Sequence, residues 1–473
     1  MRLAKALFAL LLFAPGAAGA LTFDESRHLL ARVGFGLPSR AEIERFMPFS
    51  QESAIEEVFG LMQSKPLTQP PPEIEAPPKA LGKGPDEKAR HDFMRTQTQE
   101  QAKRLKAWWW GEMLATDSPF TEHMVLFWHN HFTSSLRKVK WPGFLYRQNL
   151  LFRIHAAGNF AELLREIVRD PALMIYLDSQ TNRPESPNEN FARELFELFT
   201  LGEGHFSEFD VKEAARAFTG WQFDSKSGEV VFRRPRHDPG EKSVLGQKVR
   251  TGDDVVRVLL EQPRTAEFIT EKLWREFISD SPDADEIKRL AALFRASGYE
   301  LRPLLKGLFA TQAFWAPETR GILVKSPVDL VVGTVRLLGV PHVDPRRLAQ
   351  VGRALGQDLF DPPNVKGWPG GTRWISTDSL AKREQFLRQI ARGREGDGPD
   401  PGLGAGYNPL ATDNPSIMPS LADLDRMASP RAVEALSRLL LALPPLDPPR
   451  SLEGSNLRRI ALGFLLDPAF EVK

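Results

Sequence analysis

Two segments carry residue types and spacings that could do chemistry. The first is Pro187-Asn-Glu-Asn-Phe-Ala-Arg-Glu-Leu-Phe-Glu-Leu-Phe-Thr-Leu-Gly202. On a regular helix, at about 100° per residue, Glu189, Asn190, Arg193, Glu194 and Glu197 fall within one arc of about 140°. Phe191, Ala192, Leu195, Phe196, Leu198 and Phe199 fill the opposite side, so the helix docks firmly and its polar arc is either a solvated flank or the wall of a site. Glu189, Arg193 and Glu197 have the spacing of an ion-pair ladder, worth a few tenths of a kcal/mol per pair. Glu194 forms a second row beside Asn190. Four groups of this kind suit acid–base catalysis, with Arg193 keeping one carboxylate ionised while a less exposed one holds its proton. We therefore take Glu189, Arg193, Glu194 and Glu197 as candidate catalytic residues and Asn190 as a candidate substrate contact.

The second segment, Trp128-His-Asn-His-Phe132, places two imidazoles around an amide. His129 and His131 are candidate ligands for a divalent metal ion, completed by the glutamates. On one continuous helix they would point about 160° apart, so sharing an ion requires an extended segment or a helix end between them. His123 and Asn130, seven apart, fall on one face, as do Glu122 and His129. Aromatic-flanked histidines also serve as hydrogen-bonded core residues, and the spacing alone does not choose. A third element, Pro362-Pro-Asn-Val-Lys-Gly-Trp-Pro-Gly-Gly-Thr-Arg-Trp374, combines glycines that let backbone approach a ligand closely with polar and aromatic side chains. Asn364, Lys366, Trp368 and Trp374 are its candidate substrate contacts. The order of a phosphate-binding Gly-x-x-x-x-Gly-Lys-Ser/Thr loop is absent.

The elements that would position these groups read mostly as helix. Ser39 with Glu42, and Ser207 with Asp210, have capping-box spacing, and Ser118-Pro119 starts the helix carrying His123 to His131. Residues 86–115 predict a long helix ending in Trp108-Trp-Trp110, and helix returns at Asp253. Period-two patterning predicts one small β-hairpin near residues 229–246, Glu229–Arg234 pairing with Lys242–Gly246 across the Asp238-Pro-Gly240 turn. The expected fold class is mainly α: a single large helical domain over 21–473, with a Pro-rich excursion at 64–85 and a Gly/Pro-rich flexible segment at 393–420.

Composition narrows the chemistry. Among 473 residues there is no cysteine, which removes disulfides, thiolate nucleophiles and Cys-held metals. The balance of 62 Lys+Arg against 61 Asp+Glu gives no bulk attraction to nucleic acid or acidic lipid. Arg2 and Lys5, the apolar run Ala6–Ala14 and Ala18-Gly-Ala20 have the pattern of a secretory signal peptide over residues 1–20. We expect cleavage near Ala20, a periplasmic or secreted mature protein, and no membrane span.

His28-Leu-Leu-Ala-Arg-Val-Gly-Phe-Gly36, Phe127-Trp-His-Asn-His-Phe132, Asn188-Glu-Asn-Phe-Ala-Arg-Glu-Leu195, Glu213-Ala-Ala-Arg-Ala-Phe-Thr-Gly-Trp221 and Pro362–Gly371 occur in this order. Together they resemble the bacterial domain-of-unknown-function family 1800. The resemblance implies an exported protein, commonly encoded beside a second exported, sulfatase-like one, and assigns no catalytic residue. Two functions follow as expectations. One is an exported hydrolase, using a metal or carboxylate acid–base pair on a cell-envelope or extracellular polymer. The other is a non-catalytic helical scaffold for the second exported protein. Non-covalent haem on a histidine is a lesser third.

Overall fold

The computed structural model describes residues 19–71, 74, 87–224, 228–341, 343–392, 429–447 and 457–473. Most of the expected signal peptide, most of the Pro-rich excursion and all of segment 393–420 lie outside the described residues. Helices carry the chain, and one connected apolar core runs from Leu21 to Phe470. Capping boxes start helices at Ser39/Glu42, Ser207/Asp210, Thr251/Asp254 and Ser326/Asp329, each satisfying two backbone donors that a helix start leaves orphaned. Ser118 departs from this pattern. Its hydroxyl bonds the Thr121 hydroxyl at 2.7 Å and makes no backbone cap. The long helix Glu87–Ala115 buries all three tryptophans at 108–110.

The strand content is minor, as the sequence predicts, but the pairing differs from the expected single hairpin. β1 (Trp221–Asp224) pairs antiparallel with β2 (Glu229–Phe232), and β3 (Lys242–Val244) with β4 (Gln247–Val249). Each strand therefore pairs with its nearest neighbour in sequence. Leu245 and Gly246 both have positive φ, the two-residue turn that matches strand twist, so β3 closes locally on β4 and does not reach back to β2. Arg216 ties this region to helix Glu208–Ala217 by pairing with Glu213 and Asp238.

Three pieces of this frame surround a cleft. The "histidine helix" is Pro119–His131 and the "lysine helix" is Pro263–Phe277. The third piece is the 361–374 loop. The histidine helix is anchored from behind by a buried ion network. Glu122 accepts from both terminal nitrogens of Arg153 and from Trp109 Nε1 at 3.0 Å. Glu112, 3.9 Å from Arg153, accepts from the backbone of Leu67 and Thr68. The loop docks through Asn130, whose Oδ1 accepts from Trp368 N at 2.7 Å. Gly367, at φ +80°, is required there because a Cβ would overlap the Asn130 side-chain oxygen.

Candidate functional site

The cleft has an inner cavity of about 110 Å³ and an outer one of about 490 Å³. They adjoin, sharing Phe127, Asn130, Arg275, Glu276, Asp280 and Gly370-Gly371 in their walls. The outer volume falls within the range of roughly 300–1,000 Å³ usual for small-ligand sites. Two hydrogen-bonded pairs of titratable groups face into it.

The inner pair is His123 with Glu276, Nε2 to Oε1 at 2.7 Å. His123 Nδ1 lies 2.8 Å from Gly34 O, which can only accept, so Nδ1 carries a hydrogen. The remaining proton is then shared between Nε2 and the carboxylate. Burial pushes the Glu276 carboxyl up, but the hydrogen bond and charge of His123, with Lys473, outweigh it and hold it below the usual carboxylate range. Glu276 is therefore held as the ionised, accepting partner of this hydrogen bond. Beside them Asp329 caps its own helix start through Ser326 and accepts from Lys473 Nζ at 2.8 Å. Burial raises its carboxyl, yet Lys473 and His123 more than compensate and leave it low.

The outer pair is Lys272 with His131, and its origin lies in an irregularity of the Glu189 segment. Regular α-helix covers only Glu189–Glu194, and Leu195–Thr200 widens into a π-turn. The amides of Leu201 and Gly202 both bond Phe196 O. The carbonyls of Leu198 and Phe199 then take side-chain donors. Lys272 Nζ donates to Leu198 O at 3.0 Å, and His131 Nε2 to Phe199 O at 3.2 Å. His131 Nε2 must carry the hydrogen, so Nδ1 is an acceptor and receives Lys272 Nζ at 3.0 Å. Burial and the Arg275 guanidinium push the Lys272 ammonium down to about 7. His131 lies well below its ordinary value through burial and the Lys272 charge, and is neutral. Lys272 is recessed and only partly exposed, open to water through the cleft mouth. Two of its nitrogen positions are used, which leaves one for the cleft. Lys272 and Glu276 are four apart on the lysine helix, about 6 Å along its axis and on one face.

The residues singled out in the sequence are distributed as follows. Lys366 lines the outer cavity and Trp368 and Trp374 the inner one. Asn364 turns back to accept from Lys366 N at 2.9 Å. His129 and His131 diverge. His129 is packed among Trp109, Phe152, Phe360 and Trp368, with Nε2 unpartnered among the described residues, and burial drives it down to about 3. His131 spends both ring nitrogens on Phe199 and Lys272. A cation cannot replace Lys272 there without the loss of that bond, and the two rings do not form a shared ligand set. Among the described residues no group of three or more His, Asp and Glu is placed to hold a metal ion.

The side chains of the Glu189 segment remain outside the cleft lining. Arg193 pairs with Glu208 at 2.6 Å and Glu189 at 3.5 Å rather than completing a ladder to Glu197. The π-turn breaks the regular 100° step that the ladder needs. Glu197 instead reaches Lys366 at 3.7 Å. Glu194 has its carboxyl raised by burial and by Glu197. Asn190 is exposed and donates to Leu177 O at 3.3 Å. This segment meets the site through the Leu198 and Phe199 carbonyls and, at the rim, through Glu197 beside Lys366.

Lys272, Glu276 and Arg275 were not singled out in the sequence. Glu271-Lys-Leu-Trp-Arg-Glu-Phe277 reads as an ordinary amphipathic helix, and an i,i+4 Lys–Glu spacing is a common surface pair. His123 and Asn130 did carry a signal, their spacing of seven, and both line the inner cavity.

No curated protein and no solved structure matches the chain. A family described as "Protein of unknown function (DUF1800)" matches residues 28–452, most of its length, and the chain belongs to that family.

Proposed function

We propose that this member of the family is an exported hydrolase working by metal-free acid–base catalysis in the cleft between the histidine and lysine helices. The observation that carries the reading is the pairing, on one face of one helix, of a carboxylate held ionised by His123 and an amine held near neutrality beside His131. Export rests on the charged start, apolar run and Ala18-Gly-Ala20 of the sequence.

Glu276 is the general base. Its Oε1 is committed to His123, and Oε2 is left for the proton of an attacking water. His123 is a positioning residue, because its Gly34 bond fixes the ring and its hydrogen bond to Glu276 holds that carboxyl low. Protonated Lys272 is the general acid. Water oxygen bonds to the electrophilic centre as its proton moves to Glu276, the scissile bond breaks, and the leaving group takes a proton from Lys272. Return of one proton from Glu276 to Lys272 through solvent restores both groups. Asn130 and the Gly370-Gly371 backbone form the opposite wall.

A panel of nitrophenyl esters, phosphoesters and glycosides tests the reading. At least one class should be turned over. Glu276→Gln and Lys272→Met should each lower kcat by about 10²–10⁴, the range of general acid–base contributions, while melting stays within a few degrees. Turnover unchanged in both variants, or none with any class, contradicts it.

A further inference from the structure

The outer cavity carries charge beyond what the acid–base step uses. Lys272, Arg275, Lys366 and Arg373 face it, against Glu276, already matched by His123, and Asp280. Among the described residues, two of these four cations pair with no carboxylate. Arg373 donates to the Pro369 carbonyl at 2.7 Å. Lys272 bonds an imidazole and a carbonyl. The other two are loosely engaged, Arg275 with Glu271 at 3.6 Å and Lys366 with Glu197 at 3.7 Å. Gly370 and Gly371 contribute bare backbone to the same lining. A Cβ at Gly370 would meet nothing within 4 Å, so the loop leaves open volume beside the cationic wall.

We propose that the outer cavity binds an oxyacid group of the substrate, a phosphate, sulfate or carboxylate, held by Arg275 and Arg373 beside Lys272. Guanidinium forks match the paired oxygens of such groups. Lys366, at the rim and 70% exposed, adds attraction at longer range. An anion at this position sets the scissile bond against the Lys272–Glu276 face, and it selects acidic polymers or esters over neutral ones. The word "substrate" rests on the hydrolytic reading above, whereas the anion site rests on the cavity and its cations alone.

Isothermal titration of the intact chain at low ionic strength tests the site with inorganic phosphate, inorganic sulfate, galacturonate and, as the neutral match of the last, galactose. At least one anion should bind at least tenfold tighter than galactose, and the tightest identifies the oxyacid class. Arg275→Ala with Arg373→Ala should weaken it by at least about tenfold, the loss of two charge-assisted hydrogen bonds. Both side chains are exposed, so an unchanged melting temperature checks folding. Glu276→Gln should retain anion binding. The proposal is overturned if no anion outbinds galactose, or if the folded double variant binds as well as wild type. Glu276-dependent turnover without anion binding would sink this site alone, and anion binding without turnover would sink the hydrolytic reading alone.

Discussion

Arg153→Met isolates the network that holds the histidine helix in place. Arg153, Glu112 and Glu122 have side chains no more than 1% exposed. Among the described residues, removing the guanidinium leaves Glu122 with Trp109 Nε1 as its remaining donor and strips Glu112 of its nearest cation. Breaking a buried pair from one side costs about 3–5 kcal/mol, because the surviving charge stays desolvated. With a urea m-value of about 3 kcal/mol/M, that is a midpoint shift of roughly 1–1.7 M. The sign of the pH dependence follows from Glu122. Burial, offset only in part by Arg153, already raises its folded-state carboxyl above the ordinary value. A raised carboxyl contributes stability that is present below the unfolded pKa and lost as pH rises through the folded one. Without Arg153 the carboxyl rises further. The penalty is therefore largest at neutral pH and shrinks as pH falls toward the usual carboxylate range. Glu122→Gln, combined with Arg153→Met, should recover part of the loss at pH 7, because an amide still accepts from Trp109 and has no charge to compensate. Urea titrations of the three proteins at pH 5 and 7, followed by far-UV circular dichroism, provide the assay. A single-variant loss below about 1 kcal/mol, or a loss that grows on acidification, would refute the reasoning.

Gly367→Ala should cost about 1–3 kcal/mol in denaturant stability through positive φ and overlap with Asn130, and should raise KM more than it lowers kcat by displacing the loop. Equal stability would show that the loop does not rest on Asn130. Arg193→Ala removes surface pairs with Glu189 and Glu208, so melting temperature and turnover should stay close to wild type. A large loss of turnover would return the Glu189 segment to the catalytic machinery. Dialysis against EDTA should leave turnover unchanged, since His129 and His131 face different neighbours. Recovery of lost activity by a divalent ion would contradict this.

Capping chemistry and helical periodicity made the helices legible, because Ser39/Glu42 and Ser207/Asp210 act within one turn. Strand pairing was less so. A strand such as Glu229–Phe232 offers the same edge to either neighbour, and positive φ at Leu245 decided the outcome. The site was legible in part. His123, Asn130, Lys366, Trp368 and Trp374 belonged to motifs that stood out, and all line the cleft. The Glu189 arc was conspicuous because it was charged, but the π-turn at Leu195–Thr200 changed its register and turned the Phe199 carbonyl toward His131 and the Leu198 carbonyl toward Lys272. That contact joins residues 74 apart in the chain. Lys272 and Glu276 gain their character only from this tertiary setting, since as a sequence pair they match any solvated helix face.

The pH–rate profile of kcat/KM, for wild type and Lys272→Arg on the best substrate of the panel, tests the central claim most directly. Activity should rise as Glu276 ionises below the ordinary carboxylate range and fall as Lys272 loses its proton near pH 7. In Lys272→Arg the alkaline fall should disappear at a lower overall rate, because a guanidinium keeps its proton throughout. An alkaline limb that stays near pH 7 in the variant would contradict the account, since another group would then be the acid.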